Sequence, residues 1–225
     1  MLLTTDLLDP DRQKTVQNID QNLVDFLPKD YLHFLLEYGT GTYCDEVYIT
    51  YPDDKNISLT FSSYTDLWKL NDLYNENDLL QSVQIGSTAN GDIICVTQNK
   101  KGKIFVLPRH STEIISFMAF DETIKYFVPK ISTTYFDPIF DSKTECINLI
   151  KSEKELIDIF PIHEEFLRTF TYDFVINETT QPKYFFKSFG GWITFDLIYK
   201  NGIYIKFQNR FIENILSILN FFKNY

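Results

Sequence analysis

Three histidines, His33, His110 and His163, and three cysteines, Cys44, Cys95 and Cys146, have the broadest chemical repertoire in this 225-residue chain. Their spacing organises none of it. The cysteines are far apart and odd in number, with no Cys-x-x-Cys or Cys/His ligand pattern, so no zinc site is expected. His163-Glu164-Glu165 resembles half of a metal motif. The other half needs a second histidine on the same helical face, and position 167 is Leu. His33 falls within a helical stretch beside an apolar stripe, where a solvated or structural histidine is the simpler reading. Gly86-Ser87-Thr88-Ala89-Asn90-Gly91 has the look of a phosphate loop. It lacks a Gly-Lys-Ser/Thr ending, and a strand follows where a helix N-terminus would have to hold the anion. Asp45-Glu46 and Asp53-Asp54 are paired carboxylates of the kind that perform acid/base work, but no Gly, His or Arg companion supports that. Lys100, Lys101 and Lys103 read as a small solvated basic turn. No catalytic residue, metal ligand or cofactor site is expected, and the chain reads as a binder rather than an enzyme.

The same acidic pairs make better interface material. They flank a stretch that alternates as a strand over 46–51, with Val47 and Ile49 on one side and Tyr48 on the other. Tyr43, Tyr48 and Tyr51 are interleaved with Asp45, Glu46, Asp53 and Asp54, and Tyr supplies contact area at low entropic cost. A plain solvated hairpin tip is the competing reading of these seven residues.

Two segments must position this strip. In Leu27-Pro28-Lys29-Asp30-Tyr31-Leu32-His33-Phe34-Leu35-Leu36-Glu37-Tyr38-Gly39-Thr40-Gly41, Pro28 suits a first helical turn. Tyr31, Phe34, Leu35 and Tyr38 recur at helical spacing as one apolar face, of which Tyr31, Phe34 and Leu35 are expected to be buried. Gly39 stops the helix at positive φ, and Gly41 lets the chain turn sharply into sheet. In the second segment, residues 85–91 read as a loop with an Asn90-Gly91 turn, and Asp92 opens a strand over 93–98.

The order Pro28-x-x-Tyr31-x-x-Phe34-Leu35-x-x-Tyr38-Gly39-x-Gly41, then Ile85-Gly86-x-x-x-x-Gly91-Asp92 before a strand, resembles the SMI1/KNR4 group of the SUKH superfamily. The likeness continues through a hairpin at 103–108 and a helix near 116–127, and covers about the first 130 residues. It implies an α+β fold, with a largely antiparallel sheet and helices packed against it, and a non-enzymatic binding role. Bacterial members are mostly immunity proteins that neutralise polymorphic toxins, often nucleases; fungal relatives are scaffolds in cell-wall signalling.

Charge agrees with a binding role. The chain carries a formal −10, and residues 1–99 hold 16 acidic and 5 basic side chains, a net −11. Residues 100–130 are net +3 and residues 131–225 net −2. An acidic field disfavours nucleic acid and speeds encounter with a basic protein. Aromatic residues make up 16% of the chain, which suits a packed globular protein. The first residues have neither a basic region nor a sustained apolar run, so no signal peptide is expected. No apolar run is long enough to span a bilayer, and the cysteine pattern suits reduced thiols. The expected location is the cytoplasm.

Along the chain, 12–26 reads as one helix with Val16, Ile19, Leu23 and Phe26 on a face. Residues 52–56 read as a turn, 57–61 as a return strand, and 65–80 as interrupted helical turns. A strand over 103–107 and a helix over 117–128 close the unit. Residues 129–141 are the boundary between a first domain (1–130) and a C-terminal α+β extension (131–225) expected to pack on it. In the extension, Ser152-x-x-Glu155 is a capping box for a short helix ended by Pro161. Strands follow over 171–176, 184–189 and 192–199. Asn201-Gly202 joins the last of these to 203–207 as a two-residue hairpin. Asn209 caps a final helix carrying Ile212, Ile215, Leu216 and Leu219. The expected function is binding and occlusion of a cognate, basic toxin, with an intracellular scaffold on the same fold as the alternative.

Overall fold

In a computed structural model describing residues 1–61, 65–70, 73–128, 133–152, 155–176 and 179–225, the chain forms two units. The first comprises Met1 and Leu8–Pro138, and the second comprises Leu2–Leu7 and Ile139–Tyr225. Both mix helices with antiparallel sheet, so the chain is α+β.

The first unit's strands run in the order Tyr135–Pro138, Gly41–Tyr43, Val47–Asp53, Val83–Thr88, Ile93–Val96, Ile104–Leu107, Ile115–Phe117. Every neighbouring pair is antiparallel. Side chains alternate across the sheet: Val47 and Ile49 are buried, while Tyr48 between them is 40% exposed. The helices Lys29–Tyr38 and Phe120–Phe127 pack on one face. Their contact is aromatic, with the Phe34 ring 5.6 Å from Phe120 and 5.0 Å from Phe136 of the strand below. On the other face Ile57, Trp68, Tyr74 and Leu79 cover Cys95, Phe105 and Leu107.

The second unit's sheet runs Phe174–Ile176, Lys183–Phe186, Gly191–Phe195, Gly202–Gln208, Ser142–Asn148, again antiparallel throughout. The helices Ile159–Thr169 and Ile212–Phe222 cover the face formed by Tyr184, Phe186, Ile193, Phe195, Ile203 and Ile205. Phe166 is central there, 5.0 Å from Phe195 and stacked 5.9 Å from Phe222. Residues 2–7 belong with this unit because buried Gln208 ties them down. Its Oε1 accepts from the Thr5 hydroxyl at 2.9 Å, and its Nε2 donates to Leu7 O at 2.9 Å.

Several local expectations are corrected. The 12–26 helix is two, Arg12–Gln17 and Gln21–Val24, because the Asp20 side chain accepts from Asn22 N–H and restarts the helix. Residues 57–61 form no return strand but lie in a helix, Asn56–Phe61, whose entry is fixed by Asp53 Oδ1 accepting from Lys55 and Asn56 N–H. Pro52 and Asp53, expected in a turn, end the preceding strand. Residues 85–88 belong to the strand Val83–Thr88, so the loop shrinks to its Asn90-Gly91 end. The expected 117–128 helix begins at Phe120, after the short strand Ile115–Phe117. The expected capping box does not form: Ser152 ends the strand Ile150–Ser152 and Glu155 begins the strand Glu155–Leu156, which pair antiparallel, and residues 153–154 lie outside the described residues. Pro161 opens a helix instead of ending one: it lies in the first turn of Ile159–Thr169, capped by Asp158, where a missing N–H is tolerated. The link from Gly191–Phe195 to Gly202–Gln208 is a longer loop, with Lys200 at φ +58°. Asp196 Oδ1 accepts there from Ile198 and Tyr199 N–H. Asn209 does not cap the last helix; it donates to Asp141, whose carboxylate accepts from Arg210 N–H. That helix buries Ile215, Ile218 and Phe222, leaving Leu216 39% exposed.

Candidate partner-binding surface

The hairpin between Gly41–Tyr43 and Val47–Asp53 turns through Cys44 and Asp45, at φ +53° and +61°. Glu46 N–H donates to Tyr43 O at 3.0 Å. Two successive left-handed residues are the pattern of a type I′ turn, usually filled by Asn-Gly. Each non-glycine residue held there costs about 1–2 kcal/mol, so something must hold it, and Tyr135 does. Cys44 N–H donates to Tyr135 O at 3.0 Å, and Tyr135 N–H reaches Cys44 Sγ at 3.4 Å. The Tyr135 hydroxyl is hydrogen-bonded to the Asp45 carboxylate. Burial, and then the Asp45 charge, push the Tyr135 hydroxyl's pKa far up, so it stays protonated and donates.

A second turn leans on the first. Ala89 N–H donates to Glu46 O at 2.8 Å, and Gly91 N–H closes on Thr88 O at 2.9 Å. Asp92 locks this turn: Oδ2 accepts from the Thr88 hydroxyl at 2.9 Å and Oδ1 from Arg109 N–H at 2.9 Å. The two segments singled out in the sequence therefore meet at one end of the sheet. There they present half-buried Asp45 and Glu46 beside exposed Ala89, Asn90 and Gly91.

The structure brings together only part of the expected strip. Asp45, Glu46 and exposed Tyr48 share the turn end. Tyr43 is 6% exposed and belongs to the core. Tyr51 is half-buried, and Asp53 and Asp54 are exposed. The latter two lie at the far end of Val47–Asp53, roughly 20 Å from Glu46 at the rise of an extended strand.

The remaining motif residues are architectural. Pro28 opens the Lys29–Tyr38 helix and Gly39 closes it at φ +78°. Tyr31 and Leu35 are fully buried, and the Tyr31 hydroxyl donates to Thr50 O at 2.6 Å. Phe34 is half-buried instead of buried, and Tyr38 is half-buried 4.9 Å from its ring. Gly41 is a close approach: a Cβ there would lie 2.5 Å from both Asp137 O and the Phe136 ring. Gly86 sits in its strand against Tyr48 O.

Asp30, Tyr135 and Arg109 escaped the sequence reading. Asp30 occupies an unspecified position of the helix-corner pattern, and the other two have no local signal. Of the histidines, exposed His33 lies 3.6 Å from Glu37, and His163 Nε2 is 2.7 Å from the Tyr184 hydroxyl. Among the described residues no group of three or more His, Cys, Asp or Glu could hold a metal ion. No described helix is long and apolar enough to cross a membrane. No family model, curated protein or solved structure matches this chain.

Proposed function

We propose that this chain is an immunity protein of the SMI1/KNR4 type, acting in the cytoplasm by binding a basic, nuclease-type protein toxin and occluding it. The observation that carries this reading is the clamped acidic turn at Cys44-Asp45-Glu46, held in a costly left-handed conformation by Tyr135. Backbone strain of this kind is retained where the surrounding structure over-determines it, and such places cluster at binding sites. The turn belongs to the stretch 1–99, which is net −11, so its field speeds encounter with a cationic partner. Glu46 and Asn90 supply polar contacts from two adjoining turns, and Tyr48 supplies apolar area beside them.

The test uses the full chain and a basic toxin domain encoded beside its gene. Gel filtration should give a one-to-one complex in which toxin activity is lost. Glu46→Lys with Asn90→Lys should slow association about tenfold at low salt, with the difference shrinking as salt rises. Asp53→Lys with Asp54→Lys, at the other end of the strand, should matter less. An acidic partner, or association indifferent to the turn variant at low salt, would overturn the reading.

A further inference from the structure

The strand Ile115–Phe117 ends the first unit's sheet, four positions from Val47–Asp53 and so about 19 Å away. Its surroundings contrast with the acidic turn. Met118, the next residue, is 69% exposed, Tyr126 59% and Leu73 56%. Tyr126 packs 5.1 Å from Phe117. Met118 stands between two crevices. One is lined by Lys100, Lys103, Ser116 and Phe117, the other by Lys101, Gly102, Ala119 and Phe26.

The charges around Met118 are unevenly placed. Among the described residues, Lys100, Lys101 and Lys103 form no ion pair. Asp121 is paired with Lys125 at 2.6 Å, whereas Glu122 and Asp30 accept from Met118 and Phe120 N–H at 3.1 and 2.6 Å and keep their charge. Asp25 and Asp30 line the second crevice together with Lys29 and Lys101, so its charges balance, while the first crevice is lined by Lys100 and Lys103 and no carboxylate. The patch is thus apolar at its centre and cationic on the side of the first crevice, in a chain of net charge −10. Met is an adaptable apolar contact, and exposed apolar surface with a charged rim is the anatomy of an interaction site.

We propose that this patch docks an acidic peptide segment of a partner protein, with an apolar side chain seated against Met118 and carboxylates facing Lys100, Lys101 and Lys103. The same rim repels a basic protein, so this ligand is distinct from the one assigned to the acidic turn, and the two assignments stand or fall separately.

The test pans a phage-displayed library of random peptides, a dozen residues long, on the full-length protein. Enriched peptides should combine Asp or Glu with a large apolar residue. In fluorescence anisotropy they should bind about tenfold more weakly to Met118→Asp, and again to the combined Lys100→Glu, Lys101→Glu and Lys103→Glu variant, with weakening at higher salt. Both changes are at the surface, and circular dichroism checks that each variant is folded; Met118→Gln serves as the gentler substitute if Met118→Asp is not. Failure to enrich, enrichment without acidic residues, or peptides that bind the variants equally would overturn the proposal. So would a single-stranded oligonucleotide of matching length that binds as tightly and ignores Met118→Asp. Self-association of the chain abolished by Met118→Asp would reassign the patch to a second copy and overturn it as well.

Discussion

The Asp30 carboxylate, at the start of one helix, accepts the Phe120 N–H at the start of another at 2.6 Å, and the Asp121 N–H at 3.3 Å. Its other oxygen accepts from Tyr31 N–H at 3.1 Å. The Phe120–Phe127 helix has Ala119 at its N-cap and no cap bond from that side chain. Asp30 therefore supplies from ninety residues away what a helix normally draws from its neighbouring residue: an acceptor and a negative charge at the positive end of the helix dipole. Asp30→Ala should lower stability by about 1–2 kcal/mol in chemical denaturation. Asp30→Asn, which keeps an acceptor, should cost less. Equal midpoints for Asp30→Ala and the parent would show that the contact contributes nothing.

Gly41→Ala should be costly although it adds one methyl group. The new Cβ would lie 2.5 Å from Asp137 O, a backbone atom that cannot swing away, and 2.5 Å from the Phe136 ring. Overpacking of this kind costs about 1–3 kcal/mol. Gly102→Ala is a useful comparator, because nothing lies within 4 Å of its Cβ and only its φ of +72° opposes the change. Thermal melting should rank Gly41→Ala below Gly102→Ala. The reverse order would contradict the close approach.

His163 should make stability pH-dependent. Burial lowers its pKa below 6.5, and the nearby Glu164 charge only partly offsets this. The unfolded chain therefore holds this proton more readily than the folded one. Stability is full above about pH 6.5, the unfolded value, and is lost as pH falls through the lower folded value. His163→Gln keeps a polar partner for the Tyr184 hydroxyl and does not titrate. Denaturation midpoints should fall less for His163→Gln than for the parent between about pH 7.5 and 5.5, a range above most carboxylate titrations. Parallel curves would remove His163 as the source.

The thiols should react unequally. Cys146 is exposed, whereas Cys44 and Cys95 are buried, and burial raises the thiol pKa of both buried residues. A chromogenic disulfide reagent should titrate one thiol quickly in the native protein and all three after denaturation. Rapid native reaction of more than one would show that the sheet opens around Cys44 or Cys95.

Signals carried by adjoining residues were legible. Pro28 and Gly39 bound the Lys29–Tyr38 helix because Pro tolerates a first turn and Gly a left-handed exit. Val47, Tyr48 and Ile49 alternate in burial because a strand has period two. Residues 57–61 were not legible, because Ile57, Leu59 and Phe61 satisfy a strand's alternation as readily as a helix's spacing. The fold resolves the ambiguity: Asp53 fixes the helix entry, Ile57 is fully buried and Leu59 is 77% exposed, on the face turned away. Asn201-Gly202 misled for a related reason. It is a strong local hairpin signal, but Gly202 pairs with Asn148 of the adjacent strand, and Asp196 has already set the loop.

The sequence by itself determined the α+β class, the helix corner, the strand bearing Val47 and Ile49, and the placement of negative charge in residues 1–99. These rest on spacing and composition, which are properties of the chain in any conformation. Only the tertiary structure decided which carboxylates share a surface. Asp45 and Glu46 gather with Asn90 because Ala89 N–H bonds to Glu46 O, while Asp53 is carried to the far end of the strand that follows the turn. It also decided that Asp30, Asp53 and Asp92 serve as caps and locks. The physical reason is that a carboxylate's role depends on which N–H groups lie within about 3 Å of it, and where those groups come from distant strands and helices their position is set by packing.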